Sequence, residues 1–243
     1  MKFEKYKLIT KHEFLNYFRS SLALVFLLIY LVASNVAVYY MGNFFNADRA
    51  DLSFFFVANA WMYAFFTPAI AMRLIAEERR LGTFEFLTTL PLSAKEIVVG
   101  KFLGSLAFLA LSLLLLFPLF LTLFLLGNPD PGVLLTQIIG TLLIGAAYLS
   151  LSLFVSAKAS SPLIAFLISA VLCLFLNISG SDMILNMLAG SSEKTLKVIK
   201  TFSFFDEARP FFMGIISFKS VLFFGLFIWL FLFGAITLVK EKR

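Results

Sequence analysis

Charge is what this sequence holds least of. Only 14% of its 243 residues are charged while 61% are hydrophobic, against about 25% charged in an ordinary water-soluble domain. A chain this apolar has the bilayer as its solvent. The uncharged stretches near 21–41, 52–72, 102–126, 133–157, 162–178 and 220–239 contain no Asp or Glu. That excludes an aspartyl membrane protease and leaves none of the intramembrane carboxylates that ion-coupled transporters use. Histidine is limited to His12, outside every such stretch, so an intramembrane serine protease has no base at membrane depth. Cys173 is the one cysteine and has no partner for an intrachain disulfide. No GxxxxGK[ST] loop is present, so the chain has no phosphate cradle with which to draw on ATP. No catalytic residue, metal ligand or cofactor site is expected.

Each of the six apolar stretches is long enough to cross, or nearly cross, the hydrocarbon core as a helix. The expected fold is an all-α integral membrane protein, one domain over 1–243, with six transmembrane helices. The net charge of +6 does not point to nucleic acid, because the basic residues flank the spans in the pattern that sets membrane topology. With the N-terminus inside, that side holds Lys2, Lys5, Lys7, Lys11 and Arg19, then Arg73, Arg79, Arg80, Lys95 and Lys101, then Lys158, and finally Lys240, Lys242 and Arg243. The short outer loops hold only Arg49. Both termini are expected to be cytoplasmic. The first span is too long, and the polar stretch before it too extended, for a cleavable signal.

Three connecting regions carry further pattern. Residues 3–19 place Phe3, Tyr6, Ile9 or Thr10, Phe14 and Tyr17 or Phe18 at helical spacing among lysines and glutamates. This fits a basic amphipathic helix over 1–20, lying in the interface rather than a disordered tail. Residues 73–101 are the most charge-dense segment. There Glu77 to Arg80 extend the second span into water, Gly82 allows a turn, Thr83 to Thr89 form a short helix, and Pro91 stops it. Ser93 and Glu96 then make a capping box for the third span. The short helix exposes Phe84, Phe86, Leu87 and Leu90, so it lies on lipid or docks into a partner. Residues 179–219 break into amphipathic pieces at 182–189, 195–202 and 204–216, expected as a small helical cap on the outer surface.

Within the spans, Ser161-Pro162 reads as an N-cap followed by a first-turn proline. Pro68 and Pro118 are expected to kink their helices, which would suit a cavity or gate. Asn35, Asn59, Gln137, Tyr148 and Asn177 are expected to join helices by hydrogen bonds rather than to bind substrate.

The stretch RLIAEERRLGTFEFLTTLPLSAKEIVVGKF at 73–102 resembles the cytoplasmic signature of ABC-2-type transporter permeases. The match covers Glu77, Glu78, Arg79, Gly82, Thr83, Glu85, Leu87, Pro91, Leu92, Ile97 and Lys101. The stretch at 202–224 looks like the segment before the last span in the branch containing gliding-motility permeases and permeases for copper-enzyme maturation, through Phe205, Asp206, Glu207, Gly214 and Ile215. The resemblance implies a permease of exporter type in a bacterial inner membrane, with ATP and Mg bound by a separate ABC ATPase subunit. It implies that 83–90 is a coupling helix seated in that ATPase. The contact would comprise Glu77, Glu78, Arg79, Gly82, Thr83, Phe84, Glu85, Leu87 and Pro91, with Lys158 as a lesser contact. It further implies a second permease subunit, identical or related. The competing expectation is a membrane scaffold that passes ATPase-driven movement to an extracytoplasmic partner at 179–219 without transport.

Overall fold

The computed structural model describes residues 2–41, 53–85, 91–126, 129–179 and 204–241, which are almost entirely helical with no strand among them. Helix α1 spans Lys2–Phe18 and α2 Ser21–Val36, the latter running into a π-helical turn over Ala37–Met41. Helix α3, Ser53–Ala71, continues through a π turn at Arg73–Glu77 to a last turn at Glu78–Arg80. Then come α4 (Ala94–Leu114), α5 (Phe117–Leu126), α6 (Pro131–Lys158), α7 (Pro162–Ile178), α8 (Phe204–Phe212) and α9 (Phe218–Glu241).

Among the described residues, five helical stretches are long and apolar enough to cross a membrane: Ser21–Tyr40, Phe54–Arg80, Ala94–Thr122, Pro131–Lys158 and Phe218–Glu241. The sixth apolar helix, α7, has 17 residues. At 1.5 Å per residue it is about 25 Å long, a little less than the roughly 30 Å hydrocarbon core.

The helix ends are set by local chemistry. Ser93 accepts from the Glu96 N–H at 3.2 Å and the Glu96 carboxylate accepts from the Ser93 N–H at 2.7 Å, the expected capping box. It starts α4 eight residues ahead of the apolar stretch that begins at 102, so Lys101 lies inside the helix. Ser161 caps α7 by accepting from the Ile164 N–H at 3.3 Å, with Pro162 in the first turn. Pro118 sits in the first turn of α5, just after Leu115 and Leu116 interrupt the helix. There its missing N–H leaves no bond unmade. Pro68 lies within α3, ahead of the π turn.

Helix α6 is the centre of the bundle, packing against α3, α9, α7, α8 and α4 and buried along most of its length. Lipid tails give no hydrophobic drive for helices to associate, so close approach of small residues and interhelical hydrogen bonds carry the packing. Gly145 lies against Leu109 and Tyr63, and Gly234 of α9 against Phe154 of α6. Tyr148 of α6 donates to Asn177 of α7 at 2.6 Å, and Asn177 donates in turn to the Ala60 carbonyl of α3 at 3.1 Å. Tyr30 of α2 donates to Asn59 of α3 at 2.5 Å. Gln137 donates to the Phe212 carbonyl of α8 at 2.8 Å, whereas Asn35 donates within its own helix to Leu31. Leu28, Val171 and Trp229 are among the many apolar side chains left exposed on the outside of the bundle, as a lipid-solvated surface requires.

Of the 179–219 segment, the pieces at 182–189 and 195–202 lie outside the described residues. The third piece is helix α8, and it is docked into the bundle rather than laid over it: Phe204, Ala208 and Phe211 are fully buried, and Phe211 fills the space at Gly140. Buried Glu207 pairs with Lys219 and accepts from Ser220 at 3.2 Å, tying α8 to the start of α9. Gly214, at φ +81°, closes α8 in the left-handed region that favours glycine, with the Ile215 N–H donating to the Pro210 carbonyl at 2.9 Å.

Candidate functional site

The end of the bundle where α3 finishes and α4 begins gathers most of the ionised side chains, and α1 is what closes it. Tyr6, Ile9, Thr10, Glu13, Phe14 and Tyr17 form the inward stripe of α1, while Lys7, Lys11 and His12 point outward. The stripe lies on α4 at Gly100 and Gly104. A Cβ at Gly100 would fall 2.6 Å from Ile9 Cγ2, and one at Gly104 would fall 2.7 Å from Glu13 Cβ and 2.9 Å from the Thr10 carbonyl. Only glycine lets the two helices meet this closely.

Beneath that contact Lys101 is 1% exposed, and its ammonium is held between two carboxylates, Glu13 of α1 and Glu78 of the last turn of α3. The Glu78 contact is 2.6 Å. One buried cation thus joins three elements. Around it, Ser105 donates to the Lys101 carbonyl at 2.8 Å, so Tyr17 donates to Ser105 Oγ at 2.7 Å. Tyr17 stacks on Phe108 at 4.5 Å. Burial, reinforced by nearby Glu13, pushes the Tyr17 phenol well above its ordinary pKa, which keeps it neutral and able to donate.

The second feature is the π turn. An extra residue per turn displaces backbone N–H groups from their usual partners, and Ser156 of α6 supplies one. Its Oγ accepts from the Ala76 N–H at 3.1 Å and the Ile75 N–H at 3.4 Å. The last turns of α3 are therefore fixed to the central helix on one side and to α1 and α4 on the other.

The residues expected at this site fall as follows. Glu77 pairs with Arg73 at 2.5 Å, and Glu78 with Lys101. Arg79 lies over the ring of buried Phe84 at 5.2 Å. Gly82, at φ +72°, makes the expected turn, and Thr83 donates back to the Glu78 carbonyl at 3.2 Å. Residues 83–85 are helical, with Glu85 exposed. Phe86, Leu87 and Leu90 lie outside the described residues. The Pro91 carbonyl accepts from Lys5 of α1 at 2.7 Å. Lys158 stands exposed at the end of α6, two residues beyond Ser156. The sequence reading missed Glu13, Ser156 and the Gly100/Gly104 seat. The signals were there: glycines four apart in α4, and a carboxylate within the apolar stripe of α1.

A bundle of long apolar helices with a cluster of ionised groups at the α3–α4 end and no nucleotide-binding loop in its sequence fits a multi-pass membrane component. The family model described as ABC-2 family transporter protein matches residues 8–240. The chain belongs to that family, whose members are membrane components without an ATPase domain of their own, implying an ABC ATPase partner and dimerisation. Comparison with curated proteins gives no match.

Proposed function

We propose that this chain is the permease half of an exporter-type ABC transporter, in which segment 77–91 receives the movement of a separate ATPase. The observation that carries the reading is the Lys101 clasp. Because one buried ammonium holds Glu13, Glu78 and its own helix together, a push on the turn between α3 and α4 enters α1, α3 and α4 as one body. Coupling needs a rigid contact of this kind. Phe84 and Arg79 form the root of the coupling helix, and Leu87 belongs to its contact with the ATPase. On this reading the clasp end is cytoplasmic, α1 is an interfacial helix, α7 is a sixth span, and both termini face the cytoplasm of a bacterial cell. A second permease subunit completes the passage. The 202–224 likeness to gliding-motility permeases keeps open a use in mechanical transmission to an outer partner.

Affinity purification of the tagged chain in mild detergent tests the proposal. Recovery of a Walker-motif ATPase with the wild type, and its loss with Leu87→Asp at unchanged membrane insertion, is the expected result. Recovery of the chain alone, or retention of the ATPase by Leu87→Asp with normal substrate-dependent hydrolysis, overturns the coupling role. Given an intact complex, ATP-dependent release of lipidic or hydrophobic compounds from proteoliposomes separates transport from transmission.

A further inference from the structure

A cavity of about 520 Å³ opens beside the clasp, between the first residues of α2, the end of α3 and the first residues of α7. That is within the roughly 300–1,000 Å³ range of small-ligand sites. Its polar wall contains three guanidinium groups, Arg19, Arg73 and Arg80. Among the described residues, the only carboxylate lining it is Glu77, which is paired with Arg73. Arg19 and Arg80 are exposed and answer to no acidic side chain of the cavity wall. The neighbouring carboxylates Glu13 and Glu78 line an adjoining cavity and both turn to Lys101. Guanidinium groups therefore outnumber carboxylates in the wall.

Two further features share the cavity. Ser20 caps α2 and Ser161 caps α7, so two helices of 16 and 17 residues present their N-terminal ends to one space. Helix N-termini favour negative charge. Part of the rim is apolar: Leu22 is 46% exposed and Leu163 66%. Beyond that rim α2 and α7 approach each other at the rings of Phe26 and Phe166, whose centroids are 6.3 Å apart, and Val25 and Leu167 are exposed on the two helices.

We propose that this cavity binds the phosphate headgroup of an anionic phospholipid, with the acyl chains lying along the exposed faces of α2 and α7. Guanidinium groups match phosphate oxygens in a bidentate manner that a lysine cannot reproduce. A free phosphate would satisfy the arginines, but it would make no use of the apolar rim. A zwitterionic lipid would make use of the rim while bringing its own cation to a positive wall. An anionic lipid meets both. The site does not depend on the coupling reading, since it requires only that the chain sits in a bilayer.

The test is native mass spectrometry of the purified full chain in detergent, titrated separately with dioleoyl phosphatidylglycerol, dioleoyl phosphatidylcholine and inorganic phosphate. Wild type should retain phosphatidylglycerol at least about tenfold more tightly than phosphatidylcholine, because the choline cation is set against the guanidinium groups of the wall, and inorganic phosphate should compete weakly. Arg19→Gln with Arg80→Gln should abolish that preference, each single variant should weaken it, and Lys240→Gln, an exposed cation at the end of α9, should leave it intact. Arg19→Lys with Arg80→Lys, which keeps the charge, controls for folding and should bind with intermediate strength. Equal retention of the two lipids, an unchanged preference in the double Gln variant, or full displacement by inorganic phosphate would each overturn the proposal.

Discussion

Lys101 is the residue on which the charged end of the bundle depends most. Its ammonium is 1% exposed with a carboxylate on either side, so removing the cation leaves Glu13 and Glu78 facing each other in a desolvated space. Breaking a buried ion pair by deleting one partner costs about 3–5 kcal/mol. Lys101→Met should therefore lower the thermal unfolding midpoint in detergent markedly, whereas Glu13→Gln, which leaves the Glu78 contact, should lower it less. Equal midpoints for wild type and Lys101→Met would show that water reaches the clasp. The glycine seat gives a second expectation. Gly104→Leu meets the Thr10 carbonyl as well as a side chain, so α1 must lift as a unit. Limited trypsin digestion at Lys7 and Lys11 should then speed up while α4 itself stays protected.

At the scale of elements, the π turn of α3 is held by a hydroxyl from another helix. Ser156→Ala leaves the Ile75 and Ala76 N–H groups without that acceptor, and an unsatisfied buried donor costs about 1–3 kcal/mol. Faster hydrogen exchange confined to residues 72–78, with α6 unaffected, is the expected signature; unchanged exchange there would mean that the turn holds itself. Such a turn was not legible in the sequence, because the polar partner is some eighty residues away and nothing in RLIAE marks an extra residue per turn. By contrast the ends of α4 and α7 were legible. Ser93 with Glu96, and Ser161 with Pro162, act within one turn of chain, where the side chain alone decides the backbone's partners. Hydropathy places the start of the third span at 102 because it scores lipid-facing residues, while α4 begins at Ala94 and carries Lys101 into the bundle with its charge neutralised by neighbours. Glu13 escaped for the same reason: on a helical wheel it spoils an apolar face, and only Lys101, brought from α4, explains it.

For the whole molecule, the count of crossings turns on α7. Five stretches are long enough without argument, and five crossings would put Lys11 and Lys240 on opposite sides of the membrane. A sixth crossing, by α7, is part of the proposed function, and its contacts support that reading. It follows α6 after only Ala159 to Ser161, packs back along it, and reaches across to Asn177, which bonds to both α6 and α3. Its start shares a cavity with Arg19 and Arg73, so it begins at the charged end. A helix about 5 Å shorter than the hydrocarbon core is accommodated by local thinning of the bilayer, at a fraction of a kcal/mol per Å. In a Cys173→Ala background, Lys11→Cys and Lys240→Cys should therefore show the same accessibility to a membrane-impermeant maleimide. Both should be protected in intact cells and both labelled once the membrane is opened. Labelling of one but not the other in intact cells would mean an odd number of crossings, and α7 would then have to be a helix that enters the membrane without passing through it.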